Sequence, residues 1–162
     1  MKRKILHIIT GLSDGGAEAV MTRLCIVSNE YEHSVISLQG RGKYGKILED
    51  HGILVNALGM NRKFSSLINI TKLAKIIRQE KPDVVQTWMY HADLIGGVAA
   101  RLARTKKICW GVRLSSLSKK SIRRSTRLVA FLCALLSRSV PDTIICCGNA
   151  ALRAHAKIGY QR

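Results

Sequence analysis

The chain has 162 residues, five cysteines and 47% hydrophobic residues, a length and composition that predict one globular domain with a buried core. Its 27 basic and 10 acidic residues give a formal net charge of +17, which favours polyanionic partners such as nucleic acid, anionic lipid headgroups or phosphorylated substrates. The longest apolar run, residues 128–136, is far shorter than the roughly 20 residues of a membrane-spanning helix, and the lack of any C-x-x-C spacing argues against a disulfide scaffold or a zinc site.

Residues 5–18 combine a strand, a glycine-rich loop and the beginning of a helix. The apolar run 5–9 predicts a strand buried on both faces, and turn residues follow it as far as Gly16. Helical spacing then relates the apolar residues Val20, Met21, Leu24 and Val27. Glycines let a backbone approach a ligand, and the free N–H groups of a first helical turn favour an anion. The stretch therefore predicts either a loop for a phosphate or diphosphate, or a plain turn whose glycines permit tight packing.

The remainder of the chain alternates strand and helix patterns with short connections. Strands are predicted at 34–38, 53–58, 83–88, 107–113 and 143–147. Helices are predicted at 46–51, from an N-cap at Ser65 or Ser66 to Lys81-Pro82, and at 94–102, 121–138 and 150–157. The segment 39–45 is predicted to be a solvated loop. This alternation predicts an α/β fold, with a parallel sheet of about six or seven strands and helices on both faces.

Basic residues are concentrated in the second half of the chain, where no acidic residue occurs between Asp93 and Asp142. A group of cations precedes the apolar run 128–136, and its members are Lys119, Lys120, Arg123, Arg124 and Arg127. This pattern predicts a surface helix that rests on anionic lipid, with cations at the headgroups and apolar residues dipping in. The alternative is a core helix whose basic turn is solvated.

Several motifs, taken in order, resemble those of the GT-B glycosyltransferases. Residues 15–18, Gly-Gly-Ala-Glu, follow a hydrophobic first strand as at the start of that fold. Residues 81–92 are similar to the fourth strand and its histidine, residues 108–113 to a strand ending in an arginine, and residues 147–160 to the final strand and helix of the first lobe. The chain thus resembles, over nearly its whole length, one Rossmann-like lobe of the large retaining family that includes lipopolysaccharide and capsule sugar transferases.

The resemblance implies transfer of a sugar from a nucleoside-diphosphate donor to a hydroxyl of a lipid-linked or growing glycan, with retention of configuration. The helix N-terminus beside Gly15, Gly16 and Ala17 would stabilise the departing diphosphate, with no metal ion or other cofactor. His91 matches the family's site histidine and would hydrogen-bond the sugar or the leaving group. By itself, a histidine at a strand end is more often structural.

Three further residues are candidates for contact with substrate. Arg113 would contact the acceptor or a phosphate, or it is a solvated charge. Asp14 and Glu18 would contact the acceptor, or they are charges that complement a helix N-terminus, which is the favoured interpretation.

The resemblance also implies that residues 1–162 are the N-terminal, acceptor-binding domain of such an enzyme. The C-terminal lobe, which binds the nucleotide sugar, would then be supplied in cis or in trans, and the isolated chain is expected to be inactive. The cysteines are expected to be small buried residues of a reducing cytoplasm. The expected location is therefore cytoplasmic, on the inner face of the cell membrane.

The rival interpretation is a basic α/β module that binds nucleic acid. The isoelectric point of about 10.3 and the acid-free interval favour it. Against it, aromatic residues are only 5% of the chain and do not alternate with cations in a way that would stack bases. We therefore expect no specific nucleic-acid partner.

Overall fold

The computed structural model describes residues 2–60, 67–114 and 123–161. These residues form six strands: β1 (Arg3–Ile9), β2 (Tyr31–Ser37), β3 (Leu54–Ala57), β4 (Val84–Trp88), β5 (Lys107–Val112) and β6 (Thr143–Cys146). They also form six helices: α1 (Gly16–Val27), α2 (Gly42–Asp50), α3 (Leu67–Glu80), α4 (Tyr90–Leu102), α5 (Arg124–Leu136) and α6 (Asn149–Ala156). The predicted N-cap at Ser65 or Ser66 and the predicted helix start at residue 121 lie outside the described residues.

The strands join one parallel sheet in the order β3-β2-β1-β4-β5-β6. β1 is central, since Ile5 pairs with His33 of β2 on one side and with Val84 of β4 on the other. The chain builds outward from β1 to β3 and then returns, so that β4 to β6 extend the opposite edge. This reversal leaves a crevice beyond the carboxyl ends of β1 and β4, where ligands bind in open α/β sheets. The predicted α/β lobe is confirmed, with six strands in the described residues.

Helices cover both faces of the sheet, as predicted. Because side chains of a strand alternate between faces, Leu6 and Ile8 pack with buried residues of α3, α4 and α5, whereas Ile9 packs with those of α1 and α2. Leu6, Ile8 and Ile9 are all completely buried, and each such side chain contributes about 1.5–3 kcal/mol relative to exposure. The first strand therefore anchors both halves of the core.

The segment 39–45, predicted to be a solvated loop, contains the first turn of α2 instead. α2 begins at Gly42, whose φ of +50° is a left-handed conformation. A Cβ at this position would collide with the carbonyl of Leu12, which accepts the Tyr44 N–H at 3.0 Å. Glycine therefore lets α2 begin against the loop that follows β1. Local periodicity did not indicate this because the contact joins two segments about 30 residues apart.

α1 buries a narrower face than its sequence predicts. Met21 and Cys25 are buried, whereas Val20, Leu24 and Val27 are each at least 40% exposed. The helix therefore leaves an apolar strip at the surface, on the side away from α2 and the sheet.

Candidate active site

A cleft of about 750 Å³ lies at the carboxyl ends of β1, β4, β5 and β6, at the point where the strand order reverses. Two segments form most of its wall. We call residues 10–16, from the end of β1 to the first residue of α1, the glycine loop, and residues 88–93, from the last residue of β4 into the first turn of α4, the methionine turn. The rest of the described lining comes from the start of α1, from the ends of β2, β5 and β6 and from α5; its residues are Ala17, Glu18, Val20, Gln39, Arg113, Leu114, Cys147 and Thr126.

Most of the predicted site residues meet in this cleft. Its lining includes the predicted residues Gly15, Gly16, Ala17, Glu18, His91 and Arg113. Asp14 is not among the described lining residues, because its exposed carboxylate turns to Lys43 Nζ at 3.2 Å. Of the predicted basic group, Arg123, Arg124 and Arg127 lie at the start of α5 outside the described lining, while Lys119 and Lys120 lie outside the described residues.

The glycine loop carries a carboxylate at its edge. A Cβ built at Gly15 would collide with the carboxylate of Glu18, which folds back over the first turn of α1. A negative charge in this position complements the partial positive charge of a helix N-terminus. At Gly16, by contrast, no described atom lies within 4 Å of a built Cβ, so this backbone is open to the cleft. The loop therefore leaves space beside Gly16, next to the Glu18 carboxylate, which can accept a hydrogen bond from a hydroxyl group.

The methionine turn is strained. Met89 has φ 71° and ψ 156°, a conformation that costs a non-glycine residue about 1–3 kcal/mol. Two backbone hydrogen bonds hold it there: its N–H donates to the Gly111 carbonyl at 3.1 Å, and its carbonyl accepts the Asp93 N–H at 2.8 Å. The chain thereby turns directly from β4 into α4, and this sharp change of direction places Tyr90 and His91 at the cleft wall.

His91 is half-buried beside the cleft, and burial lowers its pKa below the usual value. The imidazole is therefore neutral at pH 7, with one nitrogen to donate and one to accept a hydrogen bond. Tyr90, the preceding residue, is buried, and its hydroxyl donates to His155 Nε2 at 2.6 Å. His155 Nδ1 in turn donates to the Ala151 carbonyl at 2.7 Å, which links the first turn of α4 to α6.

A buried carboxyl group lies behind the methionine turn. Asp93 is completely buried, and its Oδ1 lies 2.6 Å from Thr87 Oγ1. Burial raises the pKa of Asp93 to about 8, and the hydrogen bonds from the Thr87 side chain and the Gly111 backbone and the charge of Arg113 oppose this rise. The carboxyl group is therefore largely protonated at neutral pH, and its Oδ1 accepts a hydrogen bond from the Thr87 hydroxyl, which also lies 3.3 Å from the Cys109 carbonyl.

Arg113 stacks on an aromatic ring at the base of the cleft. Its guanidinium carbon lies 4.2 Å from the centroid of the Trp88 ring, a cation–π contact. Trp88 is completely buried, so the ring is a fixed support beneath a cation that faces the cleft. Sequence reasoning identified Arg113 but not its support, because Trp88 ends β4 whereas Arg113 follows β5, and no local pattern relates the two residues.

The cysteines only partly match the prediction of small buried residues. Cys25 and Cys133 are buried, whereas Cys147 is exposed and lines the cleft. The correction follows from position, since Cys147 directly follows β6 at the edge of the sheet where the ligand cleft opens. Within the described residues, His7, Cys25 and His33 are close enough to one another to hold a metal ion, but they lie outside the described cleft lining.

α5 presents apolar side chains to the surface as well as to the core. Ala130, Cys133 and Ala134 are buried, whereas Leu128 is 60% exposed, Phe131 53% and Leu135 63%. Arg123 and Arg124 at its start are exposed. The described helices include none that is long and apolar enough to cross a membrane.

Solved structures share this fold. HepE from Anabaena, crystallised with UDP, matches with a TM-score of 0.78 and 19% identity, over 99% of this chain and 42% of that one. MurG from Acinetobacter baumannii matches with a TM-score of 0.60 and 18% identity, over 92% of this chain and 42% of MurG. The lipopolysaccharide outer core galactosyltransferase WaaB matches with a TM-score of 0.61 and 14% identity, over 98% of this chain and 43% of WaaB. The chain therefore has the fold of one lobe and spans less than half the length of these solved relatives.

A sequence comparison identifies the family. No curated protein sequence matches the chain. The profile of Glycosyltransferase Family 4, however, matches residues 14–162, which include Gly15 and Gly16 of the glycine loop, the methionine turn and Arg113. Together with the lobe and cleft described above, this match shows that the chain belongs to Glycosyltransferase Family 4.

Proposed function

We propose that the chain is the acceptor-binding lobe of a glycosyltransferase. The enzyme would transfer a sugar from a nucleoside-diphosphate donor to a lipid-linked or growing glycan, of the cell-surface polysaccharide or lipopolysaccharide type, with retention. The observation that carries this proposal is the meeting of an open helix N-terminus at Gly16, a neutral His91 and a supported Arg113 in one cleft at the switch point. The UDP bound to HepE supports a nucleotide-sugar donor.

Each group suits a part of this reaction. As the glycosidic bond to the diphosphate breaks, negative charge grows on the leaving group, and the N–H groups at Gly16 together with Arg113 would stabilise that charge without a metal ion. Neutral His91 would donate a hydrogen bond to the sugar or to the leaving oxygen. Glu18 repels a phosphate at Gly15, and its carboxylate instead suits an acceptor hydroxyl.

A second lobe would complete the site. The chain covers 42% of HepE, and the remainder of a two-lobed enzyme would bind the nucleotide, either in the same polypeptide or as a separate subunit. We expect no transfer by the 162-residue chain alone. Turnover of a sugar nucleotide by that purified chain would contradict this requirement.

A transfer assay tests the proposed function. The native product, purified from its source cell at whatever length it has there, is incubated with radiolabelled UDP-sugars and with lipid-linked glycans from the same cell. We expect label to enter the glycan fraction, and Arg113→Ala or His91→Ala to lower the rate at least tenfold. Lys106→Ala, in an exposed ion pair with Asp83, is the matched control and should not change the rate. Failure to label any glycan would contradict the proposal.

We further propose that α5 docks on the cytoplasmic, anionic face of a membrane, which would bring a lipid-linked acceptor to the cleft. The exposed Leu128, Phe131 and Leu135 next to Arg123 and Arg124 support this arrangement. Replacing Phe131 by Asp should weaken binding to phosphatidylglycerol vesicles at least tenfold. Leu54→Asp, at an exposed leucine of the edge strand β3, is the control. Equal binding by both variants, or preference for duplex DNA over vesicles at physiological salt, would contradict membrane docking.

A further inference from the structure

A chain of hydrogen bonds runs from Trp88 through His7 of β1 and His33 of β2 to the backbone at Ser28, which follows α1. Trp88 Nε1 lies 3.2 Å from His7 Nδ1. An indole N–H only donates, so His7 Nδ1 must be the acceptor and must carry no proton. The neutral imidazole of His7 then has its proton on Nε2.

The remaining links follow from this first one. His7 Nε2 lies 3.0 Å from His33 Nδ1, so His7 donates and His33 accepts. The proton of His33 is then on Nε2, which lies 3.2 Å from the Ser28 carbonyl. Each donor therefore has one acceptor, from Trp88 through both histidines to the backbone. Burial lowers the pKa of His7 to about 3 and also lowers that of His33, in keeping with two neutral rings.

The same residues resemble a metal site, because Cys25 lies beside the two histidines. A metal ion bound to His7 Nε2 would require the ring proton on Nδ1. That proton would face the Trp88 N–H, so two donors would oppose each other in a buried place. The order of donors and acceptors therefore favours the hydrogen-bonded chain of neutral histidines over a metal centre.

We propose that His7 is a positioning residue for Arg113 and acts through Trp88. The face of the indole supports the guanidinium at 4.2 Å, and the His7 acceptor fixes the rotation of that indole about its side-chain bonds. Arg113 lines the cleft, whereas His7 is completely buried and outside the described lining. The inference rests on the proposed function only for the role given to Arg113 in binding substrate.

Two substitutions at His7 separate the links of the chain. In His7→Asn, the side-chain oxygen takes the place of Nδ1 and keeps the acceptor for Trp88. In His7→Gln, the longer amide instead reaches toward His33 and loses that acceptor. Both variants are polar and uncharged, so they are matched for the cost of burial. Thermal unfolding followed by circular dichroism shows that each variant is folded.

Nuclear magnetic resonance of the ¹⁵N-labelled chain tests the positioning without any assay of activity. We expect both histidines to carry their proton on Nε2, and the Trp88 indole and Arg113 Nε–H signals to stay near their wild-type positions in His7→Asn but to move in His7→Gln. Trp88→Phe assigns the indole signal. Arg113 signals that do not respond to His7→Gln would overturn the proposal. So would a saturable response of the histidine signals to Zn²⁺ that Cys25→Ser abolishes.

Kinetics of the native product extend the test. His7→Gln should lower kcat/KM about fivefold, the factor expected for one net hydrogen bond, and His7→Asn should lower it less than twofold. In an Arg113→Lys background the difference between the two variants should disappear, whereas an equal difference in both backgrounds would overturn the proposal. If the resonance results hold and no transfer occurs, the positioning stands and the proposed function fails.

Discussion

The glycine loop and the methionine turn line the same cleft, but the backbone of the first is open and that of the second is strained. At Gly16 the backbone is open, with no described atom within 4 Å of a built Cβ. At Met89 a large residue is held in a left-handed conformation by hydrogen bonds to Gly111 and Asp93. The difference indicates that the first segment leaves room for a ligand, while the second fixes the direction of α4 and the position of His91.

The largest expected effect concerns the buried carboxyl group behind the methionine turn. The pKa of Asp93 is raised to about 8 in the folded chain, against an unfolded value near 3.8. The unfolded state therefore releases this proton above about pH 4 while the folded state keeps it, so stability falls as the pH rises from 4 to 8. Between pH 5 and 8 this loss amounts to about 3–4 kcal/mol.

Urea unfolding of wild type and Asp93→Asn at both pH values measures this loss. The variant keeps a hydrogen-bonding group for Thr87 but cannot ionise, so its stability should change much less with pH. If the stability of wild type changed with pH no more than that of the variant, Asp93 would be ionised in the folded chain.

The next effect concerns the open backbone of the glycine loop. Gly16→Val places a side chain where a substrate would approach, and we expect kcat/KM of the native product to fall about a hundredfold, equivalent to about 2.7 kcal/mol. Thermal unfolding should show little loss of packing, because the added side chain meets no described neighbour. Unchanged kinetics would mean that substrate does not approach this loop.

Strain at the methionine turn is measured by comparing two small residues at one position. Glycine in place of alanine usually destabilises an ordered segment by about 0.5–1 kcal/mol. At position 89 the order should reverse, with Met89→Gly more stable than Met89→Ala by about 1–2 kcal/mol, because only alanine keeps the strain. Chemical denaturation of both variants measures the difference. The usual order would show that Met89 is not strained.

The smallest expected effect is at Asp14, next to the open part of the glycine loop. Asp14→Asn breaks an exposed pair with Lys43, and we expect a stability change below about 0.5 kcal/mol. Kinetics then decide its role, since a fall in kcat/KM that Lys43→Ala does not reproduce would indicate acceptor contact. Equal kinetics for all three proteins would leave Asp14 a surface charge.

The sequence alone indicated the residues that line the cleft better than the contacts and the backbone strain that hold them in place. Gly15, Gly16, His91 and Arg113 were predicted because strand, turn and family patterns are local, and the alternation of elements predicted the parallel sheet. The contact between His7 and Trp88 joins residues 81 positions apart, which no local pattern relates. The conformation of Met89 likewise depends on Gly111 of a neighbouring strand. Tertiary contacts, which periodicity does not report, set both features.

The central claim is that this cleft binds a glycan acceptor, and mapping that binding on the ¹⁵N-labelled chain tests it most directly. Lipid-linked glycans extracted from the source cell and dispersed in detergent should shift the amide signals of Glu18 and its neighbours in the cleft wall, and Glu18→Gln should weaken the shifts. Detergent alone is the control, and UDP should shift these signals less than the glycan does, because the proposed second lobe holds the nucleotide. Shifts confined to α5, or shifts caused by duplex DNA and not by glycan, would contradict the claim.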